Sequence, residues 1–261
     1  GMDAAVATAA ALTVVEPTSN GIGGDNFALI WTRGRLHGLN ASGRAARGLK
    51  RSDYDGEESV PLYDWRAVTT PGAVSGWAAA IERFGSLALE TVLDPSIRYA
   101  REGYLVSPEV ARYWGYAEDR YRGAGRFDAW RSTFLKEGRA PRAGEMMRLP
   151  DHARTLEAIA QTNGRDFYEG EIAARIEESA REGGGALRAA DLAAHEAEWV
   201  EPIHIDYHAW RLHEIPPNGQ GLAALAMLGS LRHFDIASMG ADAPEALHLQ
   251  IESMKLAFAD A

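Results

Sequence analysis

From Met2 to Val15 the chain is alanine-rich and nearly every position is apolar, with Asp3 as the one charge, so the stretch predicts an apolar helix. The pattern breaks at Pro17, Asn20, Gly21, Gly23 and Gly24, residues that fix φ or tolerate positive φ and so predict a turn. Two short apolar runs follow, Phe27–Thr32 and Arg35–Asn40, separated by Arg33-Gly34. A two-residue glycine turn between such runs predicts an antiparallel hairpin, expected to lie buried in a central sheet. Beyond it comes a polar loop, Asn40-Ala-Ser-Gly-Arg44.

Helical periodicity takes over after a charged, turn-rich surface stretch at 50–67. Thr69-Thr-Pro-Gly72 opens a helix over Ala73–Phe84, stopped by Gly85. A second helix, about Ala88–Arg101, carries Pro95 and is expected to split into two short ones. Residues 108–122 read as an aromatic helix and 123–149 as a surface excursion with weak periodicity. Asp151 is expected to cap the next helix, with Leu156, Ile159 and Ala160 inward, and Phe167–Glu182 repeats the pattern up to Gly183-Gly-Gly185. After a short helix at Arg188–His195, alternation of Ile203, Ile205, Tyr207 and Ala209 with His204, Asp206, His208 and Trp210 predicts one strand. Helices over Leu222–Leu231 and Pro244–Ala261 close the chain, the latter burying Leu247, Ile251, Met254, Leu256 and Phe258.

Few local motifs name a chemistry. Asn20–Asp25 is glycine-rich, but helix precedes it and strand follows, the reverse of a dinucleotide loop. Pro216–Gly221 has strand, turn and helix in order without the Lys-Ser/Thr pair of a phosphate loop, so it reads as ordinary helix entry. His204, Asp206 and His208 fall on one face of the predicted strand, where neighbours can share a metal, although a solvated edge explains them as well. Ser75 in Gly72-Ala-Val-Ser-Gly76 stands one place too late for a nucleophile elbow. Arg44 is the residue type suited to bidentate carboxylate recognition, and the small residues Ala41, Ser42 and Gly43 before it leave room for a ligand.

Charge and composition remove whole classes. The net charge of −10, with both signs interspersed, argues against nucleic acid or an anionic membrane as partner. No apolar run reaches the roughly 18 residues needed to span a bilayer. There is no cysteine, which excludes disulfides and thiol catalysis and leaves the compartment open. The chain opens and closes inside apolar helices without start or stop signals, as expected of a fragment or of one subunit of a processed precursor.

Taken in order, several segments resemble one family. They are Asp3-Ala-Ala-Val-Ala7 with Glu16-Pro-Thr-Ser-Asn-Gly-Ile-Gly-Gly-Asp-Asn-Phe27, Thr70-Pro-Gly-Ala-Val-Ser-Gly76, and Ala100-Arg-Glu-Gly-Tyr-Leu-Val-Ser107. Asp166-Phe-Tyr-Glu-Gly-Glu-Ile-Ala173, Gly183-Gly-Gly185 with Asp191-Leu-Ala193, Pro216-Pro-Asn-Gly-Gln-Gly221 and His248–Asp260 continue the series. Each is weak alone; collinear over nearly the whole chain, they resemble the large subunit of γ-glutamyltransferases.

That resemblance implies an α+β fold, the N-terminal-nucleophile hydrolase αββα sandwich, incomplete and helix-rich in this chain, with residues 1–261 forming the large-subunit part of a single domain. It implies a zymogen that cleaves itself and a partner, the small subunit from the same precursor, whose new N-terminal threonine is the nucleophile. The substrate implied is a γ-glutamyl amide such as glutathione, the acyl-enzyme being released to water or an amino acid. No metal or organic cofactor is implied, no catalytic residue lies in this chain, and a higher oligomer is compatible. Where the family reads roughly Arg-Glu-x-Ala-Pro after the hairpin, this chain reads Ala41-Ser42-Gly43-Arg44-Ala45. Either Arg44, with Ser42 beside it, is the displaced substrate-binding arginine or there is no equivalent. The departure resembles divergent members, including cephalosporin and glutaryl acylases. An amidase for another acyl group and a non-catalytic binding relative therefore stand as alternatives, separated by whether Thr or Ser heads the C-terminal part.

Overall fold

A computed structural model describes every residue except Ala124 and Ala241. The elements begin α1 (Met2–Val15), β1 (Asn26–Thr32), β2 (Arg35–Ala41), α2 (Ala73–Phe84), α3 (Leu89–Glu102), β3 (Tyr104–Leu105), α4 (Pro108–Arg120), α5 (Asp128–Phe134) and β4 (Met146–Met147). They continue α6 (Pro150–Thr162), α7 (Arg165–Glu169), α8 (Glu171–Glu182), α9 (Ala189–Ala193), β5 (Glu198–Val200), β6 (Ile203–Tyr207), β7 (Trp210–Glu214), α10 (Gly221–Leu231) and α11 (Pro244–Asp260). They fall into two compact units. One holds residues 1–26 and 42–196, the other residues 27–41 and 197–261.

The first unit is helical. Val6, Ala10 and Val14 of α1 are buried, as are Val92, Leu93, Ile97 and Ala100 of α3 and Leu156, Ile159 and Ala160 of α6, and α3 packs on both other helices. This packing explains why α3 runs unbroken through Pro95, against expectation. An interior proline costs about 3 kcal/mol, whereas burying each large aliphatic side chain returns about 1.5–3 kcal/mol. Asp151 is not the cap of α6: Leu149 holds that place, Pro150 opens the first turn, and Asp151 follows it. The predicted Phe167–Glu182 helix is interrupted at Gly170. There the Asp166 carboxylate accepts from the amides of Glu171 (3.0 Å) and Ile172 (3.3 Å), capping α8 from within α7. The surface excursion at 123–149 contains α5 and β4, and β4 pairs antiparallel with β3.

The second unit carries a sheet in the order β1-β2-β5 and a separate β6-β7 hairpin. β1 and β2 are the predicted hairpin, turned at Arg33 (φ 51°) and Gly34 (φ 77°). β2 pairs antiparallel with β5 through Gly38↔Val200, Leu39↔Trp199 and Asn40↔Glu198. A side chain at Gly38 would stand 2.8 Å from the Val200 carbonyl oxygen, so glycine permits this pairing. The hairpin is not buried as expected. Phe27, Leu29 and Trp31 lie on the exposed side of β1, with Trp31 70% exposed. Leu247, Ile251, Met254, Leu256 and Phe258 of α11 are exposed as well, while Ala246, Ser253 and Ala257 are its buried positions. In both elements periodicity selects an apolar face correctly, but nothing in this unit covers it. The strand predicted through Trp210 is a hairpin: β6 ends at Tyr207, His208 turns with φ 52°, and β7 returns from Trp210.

Candidate functional site

The loop that leaves β2 is fixed residue by residue within the first unit. The Gly43 amide donates to Asp25 Oδ1 at 3.3 Å, and the Arg44 carbonyl accepts from the Thr70 amide at 3.0 Å. Ala45 forms a β-bridge with Thr69. Ala46 is buried in a small cluster with Ala180 and Leu187. The Arg47 amide donates to Asp191 Oδ1 at 3.2 Å. Gly43 is buried so closely against Thr70 that an added Cβ would lie 1.5 Å from the Thr70 carbonyl oxygen. A smaller-than-alanine residue is therefore required where the two loops cross.

The opposing loop, Thr70–Ala73, is held as firmly. Gly24 lies in the glycine turn after α1, and its carbonyl accepts from the amides of Gly72 (3.0 Å) and Ala73 (2.9 Å), groups that the start of α2 leaves without intrahelical partners. Tyr168 of α7 donates its hydroxyl to the Pro71 carbonyl at 2.9 Å and accepts from the Ser75 amide at 3.0 Å. Burial pushes the Tyr168 hydroxyl above its ordinary pKa, so it remains a protonated donor. Ser75 Oγ donates to the Gly72 carbonyl at 2.7 Å and lies 2.8 Å from His195 Nε2, whose ring stacks at a tilt against Tyr168.

The predicted pair thus stands on a braced loop. Ser42 is half-buried and Arg44 is exposed, while Gly43 between them is buried. Ser75, Tyr168 and His195 lie 93 and 120 residues apart along the chain, and no local pattern joins them. The reading of Ser75 as an ordinary helix residue agrees with its place in α2 but misses this network. The predicted His204-Asp206-His208 row does not form, because His208 leaves the strand into the turn and Asp206 is engaged by Arg211 Nε at 2.7 Å. Among the described residues no three His, Cys, Asp or Glu side chains gather as metal ligands. An open cleft of about 520 Å³ lined by Leu62, Tyr63, Trp65, Arg126 and Phe127 includes neither Ser42 nor Arg44.

The family described as Gamma-glutamyltranspeptidase matches residues 1–261. The chain belongs to the γ-glutamyltranspeptidase family. It is 33% identical over 261 residues to the glutathione hydrolase-like YwrD proenzyme of Bacillus subtilis, covering 99% of this chain and 49% of that protein. The crystal structure of cephalosporin acylase from Bacillus halodurans superposes with a TM-score of 0.93 at 49% identity, over 99% of this chain and 49% of that one. The Helicobacter pylori γ-glutamyltranspeptidase structure gives 0.91 at 27% identity, over all of this chain and 76% of that one. The chain spans about half the length of the curated relatives it matches.

The γ-glutamyltranspeptidase assignment fixes the fold as the helix-rich α+β fold of these N-terminal-nucleophile hydrolases, as expected from sequence. Members of this family named as hydrolases, transpeptidases and acylases are among its relatives. Among the described residues no helix is long and apolar enough to cross a membrane.

Proposed function

We propose that residues 1–261 are the large-subunit part of a single γ-glutamyltransferase-like domain that hydrolyses or transfers γ-glutamyl or closely related acyl groups. The nucleophile is an N-terminal threonine on a small subunit released from the same precursor by autoprocessing. Family membership over the whole chain supports this, as does a span of half the length of relatives that are themselves proenzymes. A free α-amino group titrates near 7.7–8.0 and serves as the threonine's own base. The hydroxyl attacks the acyl carbonyl, the amine leaves with the proton, and water or an amino acid then takes the acyl group from the ester.

Arg44 and Ser42 are the substrate-binding residues in this reading. The observation that carries it is the loop itself: Gly43, Ala45 and Ala46 are tied down while the arginine between them is exposed. A guanidinium on a rigid support loses little freedom on taking a donor carboxylate in two parallel hydrogen bonds. A second reading, an acylase preferring glutaryl- or cephalosporin-like acyl groups, draws support from the 49% identity to the Bacillus halodurans acylase. A non-catalytic relative would lack Thr or Ser at the head of the small subunit.

Arg44→Ala in the full-length proenzyme, after maturation, tests the assignment. Loss of a charge-assisted pair costs about 1.5–3 kcal/mol, or roughly ten- to a hundredfold in affinity. KM for an acidic donor such as a γ-glutamyl or glutaryl anilide is expected to rise by that factor, and KM for a neutral acyl anilide to stay within twofold. Equal effects on both donors refute the role of Arg44. A preference between the γ-glutamyl and glutaryl anilides separates the two catalytic readings.

A further inference from the structure

Ser75, Tyr168 and His195 take no part in the chemistry described above, yet their hydrogen bonds converge on two consecutive carbonyls, Pro71 and Gly72. A serine hydroxyl has one proton, and Ser75 directs it at the Gly72 carbonyl at 2.7 Å. Nε2 of His195, 2.8 Å from the same oxygen, must then be the donor. Neutral imidazole protonated on Nε2 and imidazolium both satisfy this, whereas the Nδ1–H tautomer would set two lone pairs against each other. A histidine that donates to a serine cannot withdraw its proton, so the pair is not an activated nucleophile. It is a brace. Tyr168 completes it, its single proton on the Pro71 carbonyl and its oxygen accepting from the Ser75 amide.

The braced turn touches the arginine loop directly. Thr70 donates to the Arg44 carbonyl, and the Thr70 carbonyl fills the space that a side chain on Gly43 would need. We propose that His195 is a positioning residue for the acyl-donor site: through Ser75 it fixes the Pro71–Gly72 turn, and through that turn the pose of Arg44. The inference rests on the assignment of Arg44 to the donor carboxylate and specifies what holds that arginine in register.

The test compares His195→Leu, which removes the donor, with His195→Gln, whose amide nitrogen reaches the place of Nε2, both in the matured full-length enzyme. His195→Leu is expected to raise KM for the acidic donor three- to tenfold with kcat within twofold, since interactions lost equally from bound substrate and transition state appear in KM. His195→Gln is expected to restore KM to within twofold of the wild type. Wild-type KM in a folded His195→Leu protein overturns the proposal, as does failure of the Gln variant to restore it, or a loss confined to kcat. If the Leu variant does not fold, long-range ¹H–¹⁵N spectra of the wild-type enzyme decide: a proton on Nε2 supports the brace, and the Nδ1–H tautomer overturns it. Arg44→Ala run alongside separates the two claims. Should Arg44→Ala leave KM unchanged, the Arg44 assignment falls and this inference with it; should it raise KM while His195→Leu does not, only this inference falls.

Discussion

Gly43→Ala probes the contact on which the arginine loop depends. The backbone there lies outside the left-handed region, so alanine meets no conformational penalty, and any effect must come from the new methyl group. That methyl would fall 1.5 Å from the Thr70 carbonyl oxygen, 2.4 Å from its carbon and 2.8 Å from its Cα. All three are backbone atoms, so no side chain can swing aside. The loops must separate by about 1.5 Å before the closest contact reaches 3.0 Å. Such a shift breaks the Thr70–Arg44 hydrogen bond and the Asp25 contact to the Gly43 amide. Overpacking typically costs about 1–3 kcal/mol, and each hydrogen bond adds about 0.5–1.5 kcal/mol. A total of about 2–6 kcal/mol corresponds to a fall in Tm of about 4–24 °C for a unit of this size. Differential scanning calorimetry, with KM measured for an acidic donor, reads both consequences. Gly23→Ala is the control, since nothing lies within 4 Å of its added methyl. A Gly43→Ala enzyme with wild-type Tm and wild-type KM would refute the close crossing and the rigid loop built on it.

Two further outcomes are expected. Tyr104 is buried with no partner for its hydroxyl among the described residues, and burial holds that group above its ordinary pKa. Stability is therefore fully present below about pH 10 and falls as pH rises beyond it, because the unfolded chain ionises first; Tyr104→Phe should remove that alkaline loss in urea midpoints at pH 8 and 10.5, and equal losses in both proteins would contradict it. Residues 1–261 expressed alone should bind ANS and self-associate through the uncovered faces of β1 and α11, and a monomeric, ANS-negative chain with a cooperative thermal transition would contradict it.

Much of the fold is legible because local rules act on neighbouring residues. The boundaries of α1 and α2 follow from composition, proline and glycine, and the Arg33-Gly34 turn sets the first hairpin. Reading failed where a distant partner decides. Pro95 stays helical because α1 and α6 bury its neighbours, and the second hairpin hides because His208 adopts a left-handed conformation more typical of Gly or Asn. Alternation in β1 and the heptad-like spacing in α11 mark an apolar face but carry no information about what covers it. The site divides the same way. The small residues before Arg44 are visible in sequence, but the reason for Gly43 is Thr70, and the Ser75–Tyr168–His195 brace joins three separate segments with no shared motif.

The chain passes between its two units three times, leaving the first after Asn26, returning at Ser42 and leaving again after Glu196. This weaving has a consequence for biogenesis. β2 finds its partner β5 about 160 residues later, since Gly38 pairs with Val200. At a synthesis rate of about 5–20 residues per second, the first hairpin emerges roughly 10–30 s before the strand that completes its sheet. A lone hairpin is marginal in water, and its open edge is a template for pairing with other nascent chains. Phe27, Leu29 and Trp31 stand on that hairpin throughout the wait. Translation speed between codons 42 and 197, and the chaperones that meet the ribosome in that interval, should therefore influence the yield of folded protein.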